Sequence, residues 1–173
     1  MEETKYQGKF VKVTEELIEG ETWERVYLND GVEIFPITKE KKIILIKERR
    51  PHEKNKIRLK FVTGLIDNNE DPFLTANREM QEEIGLKAQN LTLLMHREST
   101  GTINNNYYQF IATGLIPSKF PNPDGEDSII SYQAYSIDKI EEFFETGVIS
   151  WGMSALAILR IKKMLENNEI MVE

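Results

Sequence analysis

The chain has 173 residues, a net charge of −7 and no cysteine. That length suits one domain able to bury a sizeable core. The acidic balance argues against a nucleic-acid duplex as partner, because its phosphates call for a basic footprint. Without cysteine there are no disulfides, thiolate nucleophiles or cysteine zinc sites.

Residues 1–10 lack the apolar core of a signal peptide. No apolar run approaches the roughly 20 residues of a membrane span. A cytoplasmic location with no membrane partner is therefore expected. Lys5–Val13 and Thr22–Leu28 read as two strands joined by a polar, glycine-containing turn. Gly31–Thr38 and Lys41–Lys47 are two further strands, and the polar residues 39–42 between them predict a hairpin. Arg50–Lys56 is polar, contains Pro51 and reads as a loop; Ile57–Val62 is a short strand leading to Gly64.

The clearest helix covers Pro72–Ile84. Asp71 is placed to cap it, and Pro72 stands at the first helical position, where its missing N–H costs little. Phe73, Ala76, Met80 and Ile84 recur at spacings of three and four, so they share a face. Gly85 is placed to end the helix in a left-handed conformation. Leu91–His96 and Tyr107–Thr113 are strands, Pro117–Asp127 is a loop rich in Pro, Asp and Gly, and Ile129–Ile137 is another strand. Ile140–Glu145 is a short helix stopped at Gly147, and Ser150–Asn167 is a longer one. This order predicts an α/β fold with a mixed sheet and helices on both faces.

Chemistry concentrates around the first helix, in Glu70, Arg78, Glu79, Glu82 and Glu83. Glu79, Glu82 and Glu83 lie three and four residues apart and share a helical face. Carboxylates crowded there repel one another unless a cation sits among them. Hard divalent ions such as Mg²⁺ or Mn²⁺ prefer carboxylate oxygens and water. A solvated acidic helix face is the plainer alternative. The wider spacing decides against it. Gly64, Glu70 and then Arg78–Leu86 fill every position of the pattern GX5EX7REUXEEXGU, with U a bulky aliphatic residue. Seven positions are fixed. At roughly 7% usage per residue type, a chance match is on the order of one in a hundred million per starting position.

The segment closely resembles the Nudix hydrolase signature. The resemblance implies an α/β/α sandwich with a loop–helix–loop metal site, and cleavage of a nucleoside diphosphate linked to another group. It implies Glu79 and Glu83 as the main metal ligands. Glu82 would be a further ligand or would orient the attacking water. Glu70 would pair with Arg78, Gly64 would permit a tight bend, and the Thr63 carbonyl would face a metal. Outside the signature the layout resembles the ADP-ribose pyrophosphatase and nucleotide-sugar branch. That likeness implies an N-terminal strand region (1–30) used in homodimer formation, followed by the Nudix domain (31–173). Arg50, with Arg49 as the alternative, matches the branch's substrate-facing arginine. Glu126, with Asp127 second, matches its loop general base. Many members of the branch have Leu-Pro-Ala-Gly entering the signature, often preceded by Glu. Here Lys60–Phe61–Val62–Thr63–Gly64 stands, and Lys60 reverses a charge.

Other candidates are expected to be structural. His52 and His96 are too far apart in sequence to read as a metal pair. Tyr107, Tyr108 and Phe110 fit strand packing better than base stacking. Trp151 and Met153 read as core or interface residues. Trp23 and Tyr27 suit either interface burial or a base pocket. Two other functions stand beside the leading one: a nucleoside triphosphate hydrolase that cleans the nucleotide pool, and a non-catalytic Nudix domain that senses a nucleotide. Extra N-terminal strands disfavour the first, and the four intact signature carboxylates disfavour the second.

Overall fold

The computed structural model describes residues 1–67, 70–121 and 128–172. Three antiparallel strands open the chain: β1 (Glu3–Gln7), β2 (Val11–Ile18) and β3 (Glu21–Leu28). The expected strand Lys5–Val13 is thus divided between two. Gly8 N donates to the Val11 carbonyl at 2.8 Å and closes a turn within it.

β3 passes into the main sheet by pairing in parallel with β9 (Ile103–Pro117) at Val26–Ile103 and Tyr27–Asn104. The sheet order is β1-β2-β3-β9-β4-β7, with β8 (Leu86–Thr100) along the other edge of β9. Here β4 is Gly31–Pro36 and β7 is Val62–Leu65. A second sheet runs β10-β5-β6, from Ile129–Tyr135, Ile43–Arg49 and Ile57–Lys60.

Two expectations change. The hairpin between β4 and β5 is reduced to one bridge, Ile37 to Ile43, after which the strands diverge into different sheets. β4 and the first four residues of β5 are buried on both faces, so neither stretch carries the alternation that would have distinguished sheet partners. The β8–β9 hairpin is far longer than predicted and runs from Leu86–Pro117 to Thr100–Asn104, with a shift of register between Leu93 and Met95. Its outer half is polar, so hydrophobic periodicity could not reveal it.

The core divides by residue parity. Val32, Ile34, Ile44, Ile46, Phe110 and Ala112 pack towards α1 (Pro72–Glu83), against Ala76, Met80 and Ile84. Phe35, Ile37, Ile43, Leu45 and Ile111 face the other way. They pack against Ile140 of α2 (Ile137–Glu145) and Ile158 and Ile161 of α3 (Gly152–Glu166). Successive strand residues point to opposite faces, so one run of apolar residues feeds two cores. The result is the expected α/β/α sandwich with mixed sheets. Among the described residues no helix is long and apolar enough to cross a membrane.

α1 begins and ends as its sequence predicts. The Asp71 side chain accepts from Phe73 N at 2.7 Å, and Gly85 adopts φ +68° just past the last turn. Met80 and Ala76 are fully buried, whereas Phe73 is half-exposed and meets Phe110 edge-on at 4.8 Å. Met80→Ala should therefore destabilise the protein by about 2–4 kcal/mol in urea unfolding, through lost burial and a residual cavity. A loss under about 0.5 kcal/mol would mean that α1 is not anchored through this side chain.

Candidate active site

Four elements meet in the site, three of them with charged side chains. β5 presents Glu48 on the same face as Ile44 and Ile46, and β6 ends in Lys60. β7 carries Thr63 and Gly64, and α1 supplies Arg78, Glu79, Glu82 and Glu83.

The charges sort into two groups. In the first, Arg78 holds three carboxylates: Glu79 at 2.8 Å, Glu82 at 3.1 Å and Glu70 at 3.1 Å. It also donates to the Leu65 carbonyl, tying α1 to the end of β7. In the second, the buried Lys60 ammonium donates to Glu83 Oε1 at 3.0 Å and to Thr63 Oγ1 at 2.9 Å, and lies 3.5 Å from Glu48. Arg50 completes this group on Glu48 at 2.6 Å. Fully ionised, the Lys60 group is neutral, whereas three carboxylates on one guanidinium leave the Arg78 group two negative charges in excess.

Gly64 meets a need other than the expected bend. It lies in regular antiparallel pairing opposite Val32. The Glu79 side chain covers it so closely that an added Cβ would stand 1.9 Å from the Glu79 carboxyl carbon. Only glycine permits this approach, which presses Glu79 into the protein. Burial accordingly raises the Glu79 carboxyl to about 8, against the lowering influence of Arg78, with Glu83 and Glu82 adding repulsion. Glu83 is raised to about 7, again mainly by burial, although Lys60 opposes the shift. Burial works against the charge on Arg78, but Glu70, Glu79 and Glu82 outweigh it and raise its pKa.

Among the described residues no three acidic or histidine side chains converge on one point as they stand. Arg78 pairs with Glu70, Glu79 and Glu82, one of its nitrogens meeting both Glu79 and Glu82. The donor set nonetheless fits a hard divalent cation: oxygen ligands only, three acids against one guanidinium, and partial burial that strengthens attraction. Two cavities flank the cluster. Lys60, Glu33, Arg58 and Trp151 help line one of about 540 Å³. Glu82, Glu83 and Tyr132 help line a smaller one of about 210 Å³.

The other predicted residues fall as follows. Arg50 is engaged by Glu48, and the Arg49 side chain is exposed at the end of β5. Thr63 meets Glu83 through its amide at 3.2 Å and Lys60 through its hydroxyl. Glu126 and Asp127 lie outside the described residues. His96 stacks on Tyr108 at 4.3 Å, and Phe110 is core. His52 is exposed. Trp151 lies beneath the Arg58 guanidinium, 5.0 Å from ring centre, while the Met153 carbonyl accepts from Gln109.

Sequence reading assigned no role to Glu48 or Glu33. Glu48 continues the alternation of Ile44 and Ile46, which marks it as inward-facing. Glu33 is buried within a wholly buried strand, where Ser154 and Gln109 each donate to it at 2.6 Å. Burial raises its pKa too. A charged residue inside an otherwise apolar strand was the available signal.

These raised carboxyls make stability fall with pH. Glu79 and Glu83 titrate near 4.5 when unfolded but at about 8 and about 7 when folded. Between those values the folded state holds the extra protons, so raising the pH favours unfolding. Without divalent ions the melting temperature should fall from about pH 5 to pH 8, and Mg²⁺ should restore more at pH 8 than at pH 5. A flat profile with no Mg²⁺ effect would contradict this electrostatic account.

The NUDIX domain family model matches residues 27–151. The chain is 26% identical over 173 residues to the methanol dehydrogenase activator of Bacillus methanolicus, covering 94% of this chain and 91% of that protein. It is 26% identical over 140 residues to the ADP-ribose pyrophosphatase of Bacillus subtilis, covering 79% and 75%. The crystal structure of an ADP compounds hydrolase superposes with a TM-score of 0.81 at 22% identity, over 97% of this chain and 93% of the other. Members of this family generally use divalent metals. The chain belongs to the NUDIX domain family and is a Nudix hydrolase similar to the ADP-ribose pyrophosphatases.

Proposed function

We propose that the protein hydrolyses the diphosphate of ADP-ribose or a nucleotide sugar, releasing a nucleoside monophosphate and a sugar phosphate. The observation that carries this reading is the Arg78 group, three carboxylates on one guanidinium, pressed against Gly64 between two cavities. A bound Mg²⁺ or Mn²⁺ would acidify the attacking water and neutralise charge on the diphosphate oxygens. Glu79 and Glu82 head the donor set for that ion, with the Thr63 carbonyl beside them, and Glu83, bridged to Lys60, borders the site. Glu82, at the edge of the smaller cavity, also orients the water. Glu126 takes the water's proton as general base. Arg49, exposed at the end of β5, and Arg50 bind the substrate phosphates, while Glu70 and Arg78 hold the loop against the helix. The larger cavity suits the organic end of the substrate. The relative from Bacillus subtilis, named for its action on ADP-ribose, supports that choice of substrate.

A homodimer belongs to this proposal. Strand register places Tyr6, Val13, Leu17, Val26, Leu28 and Ile103 on one face of the N-terminal sheet. Tyr6, Leu17, Leu28 and Ile103 are exposed there. The opposite face carries Lys12, Thr14, Glu16 and Arg25 beside exposed Trp23 and Ile18, and there Tyr27 donates to Glu2 at 2.6 Å. A second copy would cover the apolar face. Leu17→Glu should convert a dimer to a monomer in light scattering; a wild-type monomer would sink the idea.

The activity test uses ADP-ribose, GDP-mannose, UDP-glucose and dGTP with Mg²⁺. ADP-ribose or a nucleotide sugar should be preferred. Glu79→Gln and Glu83→Gln should each lower kcat by about 100-fold or more with the fold retained, since each removes charge but little volume. Glu126→Gln should cost at least about tenfold. Near-normal turnover in both helix variants would refute the site, whereas a few-fold loss in Glu126→Gln would remove only the base assignment.

A further inference from the structure

Lys60 has a consequence for how many metal ions the site accepts. Its ammonium is buried between two acids on different elements, Glu48 of β5 and Glu83 of α1. Both Glu83 oxygens are committed, Oε1 to Lys60 and Oε2 to the Thr63 amide. Glu48 Oε2 is committed to Arg50 as well as lying 3.5 Å from Lys60. This pocket already sets two cations against two acids, whereas the Arg78 group beside it sets one cation against three acids. A divalent ion entering between Glu48 and Glu83 would meet an ammonium that burial keeps from moving into water. An ion entering at Glu79 and Glu82 meets only attraction beyond Arg78, a partly exposed side chain.

We propose that Lys60 is a built-in cation standing where a second metal ion would bind between Glu48 and Glu83, so that the site takes a single divalent ion on its Glu79 and Glu82 side. This rests on the metal-site reading above. It makes Lys60 a residue that sets metal stoichiometry, and it gives the charge reversal at this position a physical role. The like charge of ammonium and metal is what excludes the second ion. Removing that charge, with the length of the side chain kept, leaves two buried carboxylates ready for a metal.

The test counts bound Mn²⁺ by electron paramagnetic resonance in the full-length wild type, Lys60→Met and the double variant Lys60→Met/Glu48→Gln. Circular dichroism checks folding. Wild type should bind one Mn²⁺ per chain and Lys60→Met two, the extra ion being lost in the double variant. Glu48→Gln alone should leave the wild-type count at one, and that arm does not depend on Lys60→Met folding. Two ions in wild type, a fall on Glu48→Gln alone, or equal counts in wild type and a folded Lys60→Met would overturn the role of Lys60 while leaving the metal site standing. Mn²⁺ binding by none of the proteins would overturn both.

Discussion

The fold depends at its functional end on one constraint: α1 is anchored to the sheet through Ala76 and Met80, and the same side of the helix carries Glu79 and Glu83 against the sheet. Met80 and Ala76 leave the helix no freedom to turn Glu79 and Glu83 into water. Glu79 then lies directly over Gly64, where no other residue type leaves room. Burying acids in this way is unfavourable without compensation. Arg78 and Lys60 provide part of it, from within the helix and from the neighbouring strand. A sandwich of layers thus yields a rigid, partly buried, electron-rich surface whose remaining negative charge lies on one side.

That asymmetry links the fold to the proposed chemistry. The smaller cavity is lined by Glu82 of the Arg78 group and by Glu83 of the Lys60 group. The larger one is lined by Lys60. A diphosphate lying along the end of α1 would have its phosphates near the metal-binding carboxylates and its organic end in the larger space. Glu33, at the base of that space, is held by Ser154 of α3 and Gln109 of β9. Such a network fixes the relation of helix to sheet behind the site.

The sequence was most informative where local physics acts alone. Asp71, Pro72 and Gly85 delimit α1 because caps and left-handed ends are decided within a few residues. The acidic face followed from helical periodicity. Long-range pairing was less legible. Parity could not show that β4 and β5 enter different sheets, since β4 and the first four residues of β5 are buried on both faces. The outer β8–β9 hairpin is held by backbone pairing with little apolar patterning. At the site, the signature spacing located Glu79, Glu82 and Glu83, but the Lys60 bridge to Glu48 joins residues from two strands and α1. The reversed charge at Lys60 was visible in sequence; the acids that surround it were not. Gly64 was expected to permit a tight bend, whereas it lies in regular strand pairing beneath the Glu79 side chain.

Diffraction from Mn²⁺-soaked crystals, recorded at the manganese absorption edge, tests the central claim most directly. An anomalous peak within coordination distance of Glu79 and Glu82, with Arg78 displaced from at least one of them, is the predicted result. A peak elsewhere on the chain, or none beside α1 when manganese is saturating, would contradict the account.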